Sequence, residues 1–301
     1  MIIPGEVLAL MAALFWSIAV VIFKSLSQKI SPFLINALKN TIALMCFIIT
    51  LSILDIPFWN DTFTNQQYIK FIISGILGMG IADAIFIYSL SKIGANRIAI
   101  LNCFEPIAVY LFTFLLLGTS LSALESLGFI IVIISILVIN YENDQDDIDP
   151  KIKKRGMLLQ ICAILCSALS MVMIKEILNV HRVEINSIIW IAVFRLFIGF
   201  TVSWIIFLFL KNTKKLLSAL NDKETIIKII ASSVFGTFMA LSCWMMGQAY
   251  IEKLPLASIL GQTALIFILL FSWIFLNEKI TRIRIIASAF ALLGVFLSNY
   301  F

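Results

Sequence analysis

Residues 5–24 read GEVLALMAALFWSIAVVIFK, and residues 156–175 read GMLLQICAILCSALSMVMIK. A shift of 151 residues sets Gly5 on Gly156, Leu8 on Leu159, Ala12 on Ala163, Leu14 on Leu165, Val21 on Val172 and Lys24 on Lys175. Apolar coincidences come easily in a chain rich in Ile, Leu and Ala, so the weight rests on the glycine and the lysine. With small gaps the register continues: Lys39 on Arg195, Lys70 on Lys228, Ser74 on Ser232, Gly78 on Gly236 and Ala99 on Ala257. The chain reads as one unit written twice. Each quoted stretch is an apolar run of about 20 residues, the length of helix that crosses a hydrocarbon core of about 30 Å.

Composition says the same of the whole chain. Of 301 residues, 61% are hydrophobic and 13% charged, which excludes an ordinary water-soluble domain. The mean hydropathy of +1.07 is an average over the full length, so the apolar residues recur throughout instead of forming one anchor. Ten spans follow: about 7–26, 33–54, 68–90, 98–117, 121–140, 157–178, 187–210, 226–250, 256–276 and 282–300. Their short connections leave no room for an extramembrane domain. The longest polar stretch, Glu142–Arg155, is an acidic block followed by a basic one. It divides the chain into a first repeat, 1–141, a charged linker, 142–155, and a second repeat, 156–301. The expected fold is an all-α polytopic membrane protein of ten transmembrane helices.

Five spans cross a bilayer an odd number of times, so two tandem units must be inverted relative to one another. Basic residues test this. Odd-numbered connections carry Lys24 and Lys29; Lys92 and Arg97; Lys151, Lys153, Lys154 and Arg155; Lys211, Lys214, Lys215, Lys223 and Lys228; and Lys279, Arg282 and Arg284. Even-numbered ones carry Lys70, Lys175, Arg182 and Lys253. The bias changes sides between the repeats, as inversion requires. It places the odd loops and the linker in the cytoplasm and both termini outside, in a multi-pass cell (plasma or inner) membrane protein.

Several function classes drop out. A net charge of +5 does not point to nucleic acid, because the basic residues sit between spans and form no stripe interleaved with aromatics. Cys46, Cys103, Cys162, Cys166 and Cys243 all lie in apolar runs, and no His or carboxylate completes a metal set beside them. No disulfide framework, metal or other cofactor is expected. The N-terminus has no basic region ahead of its first apolar run, which is therefore expected to stay as a span.

Ionised residues deep in a span are the informative ones, since each costs about 2.5–3.5 kcal/mol to insert and calls for a partner or an aqueous cavity. Lys39 falls in span two, Asp83 in span three, Glu105 in span four and Arg195 in span seven. They can line a cavity that binds a charged or zwitterionic solute or titrates with a coupling proton, or they can pair to lock helices together. The two acids have no acidic counterpart in the second repeat, where Leu241 and roughly Thr263 stand, so acid chemistry here is asymmetric. Asn36, Asn40, Asn102, Gln248 and Gln262 extend the candidate lining, with interhelical bonding as the alternative. Trp16 and Trp244 can form aromatic walls or simply pack. Pro106 removes a backbone donor inside a helix and predicts a kink. Gly75, Gly78, Gly80 and Gly236 permit close helix approach, as do the small residues Ala287, Ala291 and Gly294 in span ten.

Taken together, these features resemble the ten-helix EamA-type branch of the drug/metabolite transporter superfamily, along essentially the whole chain. The matching residues are the opening Gly5, Leu8, Ala9, Leu10, Ala12, Ala13 and Trp16 followed by Lys24, and the basic residue in the second helix of each repeat, Lys39 and Arg195. The run Leu276-Asn277-Glu278-Lys279-Ile280-Thr281 looks like the branch's Leu-Gly-Glu-x-Leu-Ser pattern, whereas in Leu117-Gly118-Thr119-Ser120-Leu121-Ser122 the Glu is replaced by Thr119. The resemblance implies helices one to four and six to nine around a central pocket, with five and ten peripheral. It also implies a transporter of small metabolites, commonly an exporter of amino acids or related compounds. Glu278, at a helix end beside Lys279, reads as structural.

The reading is a secondary transporter working by alternating access, with a small-molecule solute, the lipid bilayer and a candidate coupling proton as its partners; its oligomeric state is open. No Walker A sequence occurs, so this chain is not expected to hydrolyse ATP. The alternatives are an intramembrane enzyme and a non-transporting receptor or scaffold. The enzyme reading is thin: His181 has no metal-binding companion, no His-Glu-x-x-His or Gly-x-Ser-x-Gly occurs, and Asp144, Asp146, Asp147 and Asp149 belong to the linker.

Overall fold

The computed structural model describes residues 4–117, 122–140, 148–181, 184–211, 213, 217, 220, 222–251 and 260–300, and among these the chain forms helices and no strand. In chain order the helices are α1 (Gly5–Leu26), α2 (Pro32–Ile53), α3 (Asn65–Ile93), α4 (Ala95–Asn102), α5 (Glu105–Leu117), α6 (Ala123–Asn140), α7 (Pro150–Val180), α8 (Ile185–Leu208), α9 (Lys223–Tyr250), α10 (Ala264–Leu276) and α11 (Arg282–Tyr300). Seven stretches are long and apolar enough to cross a membrane: α1, α2, α3, α4 with α5, α7, α8 and α9. The segments expected as spans five, nine and ten form α6, α10 and α11, whose described residues fall short of that standard. Thr119, Asp144, Asp146, Asp147, Arg182, Lys214, Lys215, Lys253 and Ala257 lie outside the described residues.

Local chemistry sets the ends. Thr64 and Gln67 form a reciprocal capping box that starts α3 three residues before the expected Tyr68. Gly94 stops α3 with φ of +84°, a left-handed conformation that a side chain would strain. Pro150 stands in the first turn of α7, where a missing N–H is harmless, and the Asp149 carboxylate accepts from the backbone N–H of Lys151 at 2.7 Å. The basic half of the linker is thus the first two turns of a 31-residue helix, not part of a tether. At its other end α7 runs on to Val180, and Lys175, counted with the connections although near the edge of the expected span, lies inside the helix, 9% exposed. Arg97, Lys153 and Arg284, counted with the loops by sequence, are buried as well.

The packing is two-fold symmetric in its pattern. Helix α1 lies against α9 and α10 of the second repeat, and α7 lies against α3 and α5 of the first. Helix α2 packs on α9 and α8 on α3, while α2 with α8 and α6 with α11 form pairs that exchange of the repeats leaves unchanged. Side-chain contacts follow the same exchange. A Cβ on Gly156 would meet Ile93 at 2.6 Å and one on Gly5 would meet Ile251 at 2.9 Å; on Gly78 it would meet Ser170, and on Gly236 Ala19. Lys70 reaches Glu176 at 3.7 Å, and its counterpart Lys228 reaches Ser25 at 3.1 Å.

One shared feature is invisible in the composition. Helix α3 widens to π geometry over Gly75–Ala82, and α9 does so over Ser233–Met239, at equivalent places in the two repeats. An extra residue in the turn loosens the backbone ladder there and leaves carbonyls for other donors. Apolar side chains such as Met45, Ile49 and Ile53 face outward, as a hydrocarbon solvent allows.

Candidate functional site

The two π segments meet the middles of α1, α2, α7 and α8 around an internal cavity of about 240 Å³. Glycine makes the approach possible. A Cβ on Gly75 would fall 2.6 Å from the backbone oxygen of Arg195, and one on Gly80 2.6 Å from Val202, so α3 lies closer to α8 than any larger residue permits. Lining residues come from α1, α2, α3, α4, α5, α7, α8, α9 and α10, together with Gly261 and Gln262, which precede α10; α6 and α11 contribute none.

Of the candidates from sequence, Trp16, Lys39, Asp83, Asn102, Glu105, Arg195, Trp244 and Gln262 line this cavity. Asn36 and Asn40 do not. Both are fully buried, and their amide N–H groups donate to the backbone: Asn36 to Met79 and Gly80 at 3.4 and 3.2 Å, Asn40 to Met79 at 3.2 Å. They clamp the π segment of α3, the interhelical alternative. Gln248 lines a separate small chamber of about 30 Å³ with Lys175, Glu105 and Gln262, toward the C-terminal ends of α7 and α9. Its backbone oxygen accepts from the Lys175 ammonium.

The four charges of the main cavity divide into a pair and two singles. Lys39 Nζ donates to Asp83 Oδ2 at 2.6 Å and to Asn40 Oδ1 at 2.9 Å, so these two charges satisfy each other. Arg195, 2% exposed, donates to Ser170 Oγ at 3.0 Å and to the sulfur of Met245 at 3.3 Å, with no carboxylate among its hydrogen-bond partners; its Nε–H has no partner among the described residues. Asp83 acts on it electrostatically. Glu105 has no hydrogen-bond partner among the described residues and borders both chambers.

Glu105 owes its position to Pro106. The helix stops at Asn102, turns through Cys103 and Phe104, and restarts at Glu105, with Pro106 in the new first turn where no N–H is required. The expected kink is a break, and the acid stands at it. Across the cavity, Gln160 Nε2 donates to Asn102 Oδ1 at 2.8 Å and leaves its own Oε1 without a partner. Thr237, in the π segment of α9, likewise lines the cavity with an unpartnered hydroxyl. Trp16 stacks obliquely on Phe86 with ring centres 5.2 Å apart, forming an aromatic wall.

A family model for EamA-like transporters matches the chain twice, over residues 3–141 and 154–300. The chain belongs to the EamA-like transporter family. One solved crystal structure superposes on this EamA-like protein with a TM-score of 0.72 at 16% identity, covering 98% of this chain and 96% of the other, a likeness of fold. A search of curated proteins finds no match. The transporter is a multi-pass membrane protein, with lipid and a small-molecule solute as the partners its family implies.

Sequence reasoning missed Gln160, Ser170, Thr237 and Lys175 in this EamA-like chain. Gln160 carried a usable signal, an amide within an apolar span like Asn102. Ser170 and Thr237 carried none, since hydroxyls are common in buried helices. Lys175 was counted with the connections although the expected span 157–178 contains it. Glu278 is structural, as its place suggested. Its carboxylate accepts from the backbone N–H groups of Ala95 and Asn96 at 2.8 and 3.0 Å, capping α4 of the opposite repeat.

Proposed function

We propose that this protein is a secondary transporter that exports small zwitterionic metabolites, amino acids with apolar side chains first, by alternating access in the cell membrane. The observation that carries the reading is the pair of unmatched charges on one cavity: the Glu105 carboxylate and the Arg195 guanidinium. A zwitterion supplies the opposite charge to each. Glu105 and the free Oε1 of Gln160 accept from an ammonium, and Arg195 with Thr237 donates to a carboxylate. Trp16, Phe86, Leu241 and Trp244 offer apolar surface to a side chain. The Lys39–Asp83 pair is neutral overall and serves as the polar floor.

Glu105 is also the proposed proton carrier, because Asp83 already has Lys39. A proton on Glu105 and an ammonium beside it exclude each other, which couples the two movements in opposite directions. Purified protein in liposomes, loaded with radiolabelled L-leucine and given an imposed pH gradient, tests this. Gradient-driven flux that falls to background in Glu105→Gln and Arg195→Met is the expected result. L-leucine that neither shifts the thermal unfolding of the protein nor moves across the bilayer would overturn the substrate class. Flux indifferent to the gradient would overturn proton coupling.

A further inference from the structure

Among the described residues, Lys175 is the one cation that shares the small chamber with Glu105. It belongs to α7, is 9% exposed, and its single hydrogen bond among the described residues runs to the backbone oxygen of Gln248. An ammonium has three donors, so two are uncommitted. The chamber of about 30 Å³ holds one water-sized group, and the Oε1 of Gln248, 5% exposed, has no hydrogen-bond partner among the described residues. Glu105 stands on the other side with both carboxylate oxygens uncommitted. No ion pair joins Glu105 and Lys175; both line the one chamber, which leaves a gap between them.

Alternating access sets the demand on this gap. With a proton on Glu105 the empty carrier returns neutral; without one it must pass through an occluded state with an uncompensated carboxylate, which is strongly disfavoured in that low-dielectric interior. The second repeat has roughly Thr263 at the place of Glu105, so no repeat-related acid shares the burden.

We propose that Lys175 is a tethered surrogate for the ammonium of the solute: in the empty carrier with Glu105 unprotonated it swings from the Gln248 oxygen to Glu105, and the arriving solute displaces it. This rests on Glu105 being the ammonium subsite. It makes Lys175 a positioning residue for the return step and an internal competitor for the loading step. Where the internal pair holds about nine-tenths of the empty carrier, removing it tightens solute binding about tenfold.

Two measurements test the proposal. The first uses no solute: thermal unfolding of the purified empty protein as wild type, Lys175→Met, Glu105→Gln and the double variant. A tethered pair makes the single changes non-additive, with a discrepancy of about 2–4 °C in Tm; additive shifts, the behaviour of a lysine that only holds the Gln248 backbone, overturn the proposal. The second compares L-leucine exchange with net L-leucine efflux in liposomes at equal pH on both sides, where no gradient drives the proton-loaded return. Lys175→Met is expected to bind L-leucine about tenfold more tightly and keep exchange while losing net efflux, and Lys175→Arg to restore net efflux. Lys175→Met with wild-type affinity and wild-type net efflux overturns it, as does equal loss of exchange and efflux in a folded Lys175→Met that Lys175→Arg does not restore. If Glu105→Gln binds L-leucine as wild type does, it is the ammonium subsite itself that fails, whatever Lys175 does.

Discussion

The Lys39–Asp83 bridge gives a prediction whose magnitude differs for its two members. At 2.6 Å and an effective dielectric constant of about 20, two unit charges attract by about 6 kcal/mol before desolvation is counted. Removing one partner of a buried pair typically costs about 3–5 kcal/mol, because the other charge is stranded. The strandings are unequal. Asp83 is 27% exposed and faces the cavity, so Lys39→Met leaves a carboxylate that water in the cavity can solvate. Lys39 is 2% exposed, and Asp83→Leu leaves its ammonium only the Asn40 amide oxygen. Asp83→Leu is therefore expected to destabilise more than Lys39→Met, by about 4 against about 2 kcal/mol. Lys39→Met with Asp83→Leu should recover much of the loss, since an apolar pair of similar volume is often close to neutral. Thermal unfolding in a mild detergent, read as a double-mutant cycle, measures the coupling. A coupling below about 0.5 kcal/mol, or Lys39→Met as the more damaging single change, would refute the assignment of these residues as a self-contained pair.

Further perturbations probe the frame of the cavity. Gly78→Val should abolish transport and lower Tm, because even a Cβ at this position would sit 2.5 Å from Ser170 Oγ; flux at the wild-type rate would show that α3 and α7 have room to separate. Glu278→Ala removes the carboxylate that caps α4 from the other repeat and should destabilise by about 1–2 kcal/mol, most of it regained in Glu278→Asp only if the shorter side chain still reaches the Ala95 and Asn96 N–H groups; hydrogen exchange at these two amides reads the cap directly. Asn40→Leu deprives the Met79 carbonyl of a donor and should cost about 1–3 kcal/mol, with faster amide exchange confined to the π segment of α3 and that of α9 unchanged.

The sequence was most informative where chemistry repeats. Gly5 with Gly156, Lys24 with Lys175 and Gly78 with Gly236 announce the duplication, and each pair does occupy equivalent contacts in the fold. It was less informative where the outcome depends on a partner far along the chain. Asn36 and Asn102 look alike as amides in apolar helices; one clamps backbone carbonyls freed by a π turn and the other faces the cavity, and only the path of α3 separates these fates. The π turns themselves have no composition signal, since Gly75–Ala82 and Ser233–Met239 are ordinary apolar text. Charge counting by loops went astray where a basic residue lies buried inside a helix, as at Lys175 and Arg97. Depth in a span still picked out Lys39, Asp83, Glu105 and Arg195, because the expense of burying a charge leaves few places for one.

The same four residues show how a symmetric fold can do asymmetric work. Exchange of the repeats preserves the packing pattern, down to the π turns, so the frame by itself favours neither of two exchange-related arrangements. The side chains break that balance. Glu105, Lys39 and Asp83 all belong to the first repeat, while Arg195, Ser170 and Gln160 belong to the second. A zwitterion held between Glu105 and Arg195 therefore bridges the two units, and its binding energy depends on their relative position. A ligand shifts a conformational equilibrium only by its difference in affinity between the states. A solute with one charge engages one repeat and has little leverage on the other; a solute with both charges draws the units toward the geometry that satisfies both at once. On this argument, decanoate or decylamine binds without being carried, whereas a zwitterion of the same apolar bulk is both bound and moved, and carriage of either singly charged compound at the zwitterion's rate would show that closure does not depend on bridging the repeats.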